Sequence, residues 1–278
     1  MARIHTQPTN SFYGALTGAR KATYQLLAAF DAKVLKQKNP IVIFSYHSIA
    51  KDDWRFSVNP ADLKKQIIHL QKQYDIITLK TLEEYLAGKI TITKPSAILT
   101  FDDGYKDILT MKDFFKKHAI TPALFILANT KNPNLKELGT KRQFLTKRDI
   151  QSLLKAGWEI GCHSATHANL ATLSDKELKE EIITSKKSLE KNLGMTLKYF
   201  AYPRGKYNAA VVRLVQKAKY TMALTMDDGF INAESNRLTL PRVGVDRTHT
   251  FAEFGSTFSP SVVRLRKIIK MSPVGRYL

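Results

Sequence analysis

A single cysteine, Cys162, occurs in the 278 residues. An internal disulfide and a cysteine-built zinc site are both excluded, and the chain suits a reducing compartment. Long apolar runs are missing too: no stretch reaches the ~18 consecutive apolar residues of a membrane-spanning helix. The opening Met-Ala-Arg-Ile-His-Thr-Gln-Pro lacks the apolar core of a secretory signal. The expected place is the cytoplasm or the periphery of the inner membrane. Acids are scarce, 24 Asp+Glu against 44 Lys+Arg, for a formal net charge of +20. No helix-turn-helix, zinc finger or RNA-stacking motif accompanies that charge, so nucleic acid is not the expected partner. Neither an internal repeat nor a low-complexity segment is found.

What is present reads as globular. Hydrophobic residues make up 44% and charged residues 24%, a balance that excludes disorder of the whole chain. Residues 11–37 place Phe12, Leu16, Ala19, Thr23, Leu26, Phe30 and Val34 on one face of a helix ended by Asn39-Pro40. A buried strand, 41–46, follows, then a helix over 60–73, a strand over 76–79 and a short helix over 81–86. From residue 97 the alternation is regular. Strands are predicted at 97–101, 123–127, 158–161, 198–201 and 221–225, with helices at 106–118, 146–156, 174–193 and 208–219 and an extended stretch over 238–245. Residues 131–145 read as a surface loop. Alternation of this kind implies right-handed βαβ units and a parallel sheet. No glycine-rich nucleotide fingerprint follows the first strand. The expected fold is therefore α/β, a distorted TIM-like (β/α)7–8 barrel, with an added N-terminal helix and a basic C-terminal helix. The expected divisions are an extension over 1–39, the barrel over 40–258 and a tail over 259–278.

In such a barrel the chemistry sits where strands end. Three polar clusters fall there: Asp102-Asp103-Gly104-Tyr105, Cys162-His163-Ser164-Ala165-Thr166-His167, and Tyr202-Pro203-Arg204-Gly205-Lys206-Tyr207-Asn208. Two histidines four apart with carboxylates suit a divalent cation, and three protein ligands leave a position open. Adjacent aspartates diverge, so one can bind metal while the other faces substrate. Taken singly, a paired Asp after a strand also fits a helix cap.

Thr100-Phe-Asp-Asp-Gly104, His163-Ser-Ala-Thr-His167 and Phe200-Ala-Tyr-Pro-Arg-Gly-Lys-Tyr-Asn208, in this order, resemble the polysaccharide deacetylases of the NodB-homology type, carbohydrate esterase family four. The resemblance covers roughly residues 40–250. Ser45-Tyr-His-Ser48 and Leu240-Pro-Arg-Val-Gly-Val245 look most like the branch acting on poly-N-acetylglucosamine. The resemblance implies a hydrolase of carbon–nitrogen bonds other than peptide bonds. It would remove N-acetyl groups from N-acetylhexosamines of a surface polysaccharide or its lipid-linked precursor. By the same resemblance Asp103, His163 and His167 hold a divalent metal, zinc first, with cobalt, nickel or manganese as alternatives. Asp102 is the general base, and the oxyanion donor position falls on Arg204. Tyr105, Tyr202, Pro203, Gly205 and His47 are the implied substrate-binding residues. A metal-dependent hydrolase of a small amide or imide and a non-catalytic glycan-binding relative remain the alternatives.

The chain departs from the family pattern in three places. The arginine that holds the catalytic aspartate falls on Ala201, and Arg242 is the expected replacement. The Asp-x-x-Asp-Trp motif is reduced to Asp227-Asp228-Gly229. The Leu-x-His that supplies the acid is missing, leaving His249 and His47 as substitutes. The two ends hold half the net charge: residues 1–40 carry six Lys/Arg and one acid, and residues 261–278 five and none. Such ends seek a polyanion, or are simply solvated. Val262, Leu265, Ile268 and Ile269 could line one side of a basic helix, either surface-seeking or docked on the barrel. Segments 11–37 and 261–271 are expected to pack together as one basic face beside the active-site mouth, in peripheral contact with an anionic membrane.

Overall fold

Six consecutive buried residues in each of two neighbouring strands mark a sheet covered on both sides. The structure, a computed structural model, describes residues 10–34 and 40–272. Residues 35–39 and 273–278, and the side chains of Phe12, Leu16 and Val34, lie outside the described residues. The chain divides into two compact units, residues 38–247 and residues 1–37 with 248–278.

The larger unit is built on strands β1 (Ile41–Tyr46), β2 (Asp75–Ile76), β3 (Ser96–Phe101), β4 (Ala123–Ile126), β5 (Glu159–Cys162), β6 (Tyr199–Ala201), β7 (Met222–Leu224) and β8 (Val243–Gly244). The order is β7-β6-β5-β4-β3-β1-β8, with β2 beside β3. Every pairing is parallel. With α1 (Asn10–Val34) counted first, the helices around the sheet are α2 (Pro60–Gln71), α3 (Leu79–Leu86), α4 (Lys112–Lys117), α5 (Leu135–Leu138), α6 (Lys147–Lys155), α7 (Asp175–Lys179), α8 (Ser185–Leu193) and α9 (Ala209–Lys217). This is the distorted (β/α)7–8 barrel that the alternation predicts.

The sheet's two edges meet through one short segment. Leu240 pairs with Leu224 beside β7, and Val243–Gly244 pair with Phe44–Ser45 of β1. Residues 240–245 are thus a seam, which is why only two residues of the extended stretch 238–245 form a strand. The barrel's interior follows from register. Ile41, Ile43 and Ser45 lie opposite Ser96, Ile98 and Thr100, so each set shares a face. Ile41, Ile43, Ile98, Phe125, Ala201, Leu224 and Leu240 pack into one core. Higher up, towards the strands' C-terminal ends, the same face turns polar with Ser45 and Thr100. Gly161 is needed here: a Cβ on it would lie 2.4 Å from the Phe125 ring that fills the barrel.

Local differences have local causes. The strand expected over 76–79 stops at Ile76 because Thr78 caps α3 and the Glu159 carboxylate accepts from the Leu79 and Lys80 N–H groups at 2.7 and 2.8 Å. The loop 131–145 carries α5, capped by Asn134, and bridges to Tyr105 through Phe144. The helix over 174–193 contains a π turn at Glu180–Thr184.

In the smaller unit α1 packs on α10 (Phe251–Thr257) and α11 (Pro260–Met271). Asp31 of α1 sits at the N-terminus of α11, where it accepts from the Ser261 N–H at 2.7 Å and from the Ser259 and Ser261 hydroxyls. An anion there is favoured by the helix dipole. Arg20 donates to Glu253 at 2.9 Å and to the Thr248 carbonyl at 2.8 Å. The described parts of segments 11–37 and 261–271 therefore pack together, as expected. Among the described residues no helix is long and apolar enough to cross a membrane.

Candidate active site

Asp102 extends the ladder one residue beyond β3: its N–H donates to the Tyr46 carbonyl at 2.9 Å. Its side chain therefore keeps the inward parity of Thr100. Asp103 then takes φ = 70°, which turns its carboxylate away from that of Asp102. Ser164, His167 and Arg204 also have positive φ, at 68°, 67° and 54°. Non-glycine residues rarely occupy this region, and such strain gathers where surrounding structure holds it for a purpose.

Arg242, from the seam, is fully buried. It donates to both oxygens of Asp102, at 2.7 and 2.8 Å, to Thr100 Oγ1 at 3.1 Å and to the Thr225 carbonyl at 2.9 Å. Burial alone would raise the Asp102 pKa. The Arg242 guanidinium, through its charge and its two hydrogen bonds, outweighs it and holds the carboxyl far below its ordinary value. The sequence-based expectation that Arg242 lies within reach of Asp102 matches this geometry.

His163 and His167 each point Nε2 at Asp103 Oδ1 from 3.4 Å. These separations are long, and Asp103 Oδ1 is buried without a hydrogen-bond partner. The His163 Nδ1–H donates to the Ala201 carbonyl at 2.8 Å, which leaves the lone pair on Nε2. Burial lowers the His163 and His167 pKa values to about 3 and about 4, so both rings are neutral, the ligating form. Burial also raises Asp103 to about 6, with the Asp102 charge adding to the rise and His47 opposing it. One ligand atom from each residue lies within 4.8 Å of the others. An orphaned carboxylate oxygen faced by two neutral imidazole nitrogens fits a divalent cation.

The histidine loop is held from beneath by a residue that the motifs do not contain. Glu181, in the π turn, accepts from the Ala165 and Thr166 N–H groups at 2.9 and 3.0 Å and from the Thr166 hydroxyl at 2.6 Å. Ser164 Oγ accepts from the His167 N–H at 3.1 Å. The signal for Glu181 was an acid on the apolar face of its helix, in phase with Leu178, Ile182 and Ser185, all buried. Glu181→Ala leaves three part-buried donors without their acceptor, at a combined cost of about 1–3 kcal/mol. The expected result is a lower melting temperature and a smaller upward shift on adding cation, both read by thermal denaturation.

A match to the polysaccharide deacetylase family model spans residues 89–235. The chain belongs to the polysaccharide deacetylase family. Family members are metal-dependent hydrolases of carbon–nitrogen bonds other than peptide bonds. The polysaccharide deacetylase-type protein YxkH of Bacillus subtilis is 24% identical over 80% of this chain and 78% of its own length. The poly-β-1,6-N-acetyl-D-glucosamine N-deacetylase of Escherichia coli is 21% identical over 78% of this chain but only 38% of its own length. In fold the chain is similar to the Streptococcus pyogenes deacetylase PplD, at TM-score 0.69 and 22% identity, over 81% of this chain and all of that one. Arg242 lies beyond the matched segment of this deacetylase.

The remaining expected site residues are less uniform. His47, after β1, packs on Phe56 with ring centroids 5.1 Å apart, next to Tyr46, whose carbonyl accepts from the Asp102 N–H. Tyr105 is buried between Trp54 and Phe144. Tyr202 is buried, stacks on Tyr207 and gives its hydroxyl proton to the Leu238 carbonyl at 2.8 Å. Pro203 is buried, and Gly205 has φ = 66°, where a Cβ would lie 2.6 Å from the Met226 side chain. The Arg204 side chain pairs at the surface with Glu137 at 2.7 Å. His249 belongs to the other unit, where its Nε2 accepts from Arg266 at 3.1 Å. Asp227 accepts from the Tyr207 hydroxyl at 2.8 Å. The structure thus gathers Asp102, Asp103, His163, His167, Arg242 and His47.

Proposed function

We propose that this deacetylase removes the N-acetyl group from N-acetylhexosamine units of a surface polysaccharide or its lipid-linked precursor and releases acetate. The observation that carries the reading is the bidentate Arg242–Asp102 pair, one residue along the chain from the aspartate of the Asp103, His163 and His167 cluster. Asp102 stays ionised at any physiological pH and accepts the proton of the water that attacks the acetamide carbonyl. Asp103, His163 and His167 would hold a divalent cation, zinc by the chemistry of two imidazoles and one carboxylate, which would supply Lewis acidity at the acetamide. The backbone at Arg204, turned by its positive φ, is the donor towards the developing oxyanion. His47 rather than His249 returns a proton to the leaving amine, because it follows Tyr46, the residue paired with Phe101 beside Asp102, whereas His249 belongs to the other unit. The name of the Escherichia coli relative supports an N-acetylglucosamine polymer as substrate.

Acetate release from chitooligosaccharides, β-1,6-linked N-acetylglucosamine oligomers and lipid-linked N-acetylhexosamines tests the proposal. The expected result is release from at least one class, stopped by a chelator and restored by zinc. Release from none, or release indifferent to the chelator, would overturn it.

The pair itself predicts a pH effect. Arg242→Met removes the charge that holds the Asp102 pKa down, while burial still pushes it up. The acidic limb of the rate profile should move to higher pH. Stability should fall by about 3–5 kcal/mol, the usual cost of leaving one buried charge unpaired. An unmoved acidic limb would show that Asp102 is not the titrating base.

A further inference from the structure

The unit formed by residues 1–37 and 248–278 carries ten Lys/Arg and only two acids, Asp31 and Glu253. Both acids are spent inside it. Asp31 is 3% exposed and engaged by Ser259 and Ser261, and Glu253 is 1% exposed, engaged by Arg20 and the capping Thr250. No carboxylate side chain is left for its surface. The helix α1 is also apolar on two sides. Tyr24 and Asp31 face inward, seven residues apart. On the opposite side Ala22, Leu26, Ala29 and Phe30 are exposed, with Leu26 at 72% and Phe30 at 55%, and Lys33 continues the stripe. On α11, Ile268 is 57% exposed beside Arg264 and Lys267, which are exposed as well.

Inward packing explains the first face of α1 and leaves the second without a structural role. Large apolar side chains standing out among cations, with no surface acid, complement a layer that is anionic outside and apolar beneath. A protein partner of ordinary mixed charge would meet cations with nothing to pair its own. We propose that the unit of residues 1–37 and 248–278 docks on an anionic lipid bilayer, with Leu26 and Phe30 of α1 inserting below the headgroups. Lys33, Arg264 and Lys267 supply the attraction to the lipid phosphates. The inference is independent of the chemistry at Asp102, and its test reads binding rather than turnover.

The experiment is co-sedimentation of the full chain with vesicles of phosphatidylglycerol in phosphatidylcholine, and with phosphatidylcholine alone. At about 0.1 M salt, where the Debye length is roughly 10 Å, the chain should pellet with the anionic vesicles only, and at about 1 M salt it should be released. The double variant Leu26→Ser with Phe30→Ser should bind about tenfold more weakly or worse, since each buried side chain of that size carries that much transfer free energy. Both positions are exposed, so its circular dichroism and its acetate release from a soluble oligosaccharide should match the parent, which separates loss of docking from misfolding. A parent chain that stays in the supernatant with anionic vesicles at about 0.1 M salt would overturn the proposal. So would a double variant that binds as the parent does. So would a parent that dimerises without vesicle binding and a double variant that is monomeric, because the face would then belong to a second copy.

Discussion

Asp103→Ala is expected to abolish cation binding and turnover together. The cluster offers three ligand atoms, and the alanine removes the only charged one. Two neutral imidazoles remain, too few to hold a divalent ion in an open site. Bound metal per chain after gel filtration should fall to background. The melting-temperature rise on adding zinc should vanish, a stabilisation worth about 2.7 kcal/mol in the parent at a hundredfold excess over Kd. Without cation the comparison reverses. The folded-state pKa of Asp103 is raised from 3.8 to about 6, so the group contributes stability at low pH that is lost as pH rises through about 6. At neutral pH the cation-free parent therefore carries a cost of about 3 kcal/mol, which the alanine relieves. The cation-free variant should melt no lower than the cation-free parent at pH 7. The parent's affinity for its cation should also weaken as pH falls below about 6, because Asp103 must give up its proton, ahead of the two histidines, to bind. A variant that stays metallated and active would remove Asp103 from the ligand set.

Asp102→Asn is expected to lower turnover by about 10²–10⁴, the usual worth of a positioned base. The substitution is nearly isosteric, yet the structure predicts that it is not silent for stability. Arg242 is fully buried, and among the described residues its carboxylate partner is Asp102 alone. Asparagine keeps an oxygen to accept one N–H but leaves the guanidinium charge uncompensated, a loss of about 3–5 kcal/mol. In the parent the Asp102 pKa is depressed, so the pair's contribution is fully present above about pH 4, near the unfolded value of 3.8, and is lost only as pH falls through the folded value. A double variant, Asp102→Asn with Arg242→Met, separates the two effects. Removing both charges should recover much of the melting temperature and none of the activity. Near-normal turnover in the single variant would move the base role to another group.

Much of this protein was legible in its sequence. Strand–helix alternation after residue 97 specified a parallel barrel, because a period of two or of 3.6 is a local property that each segment carries alone. The order Asp-Asp-Gly, then His-x-x-x-His, placed the cation cluster at strand ends for the same reason: spacing along the chain becomes position at the mouth once the strands are parallel. Tertiary structure decided the rest. Arg242 reaches Asp102 across 140 residues only because residues 240–245 close the sheet between β7 and β1, a pairing no local period encodes. Glu181 supports the histidine loop because a π turn aims an otherwise ordinary helical acid inward. His249, an acid candidate by residue type, went to the terminal unit, because α10 and α11 pack against α1 and that packing decides where the last helices lie.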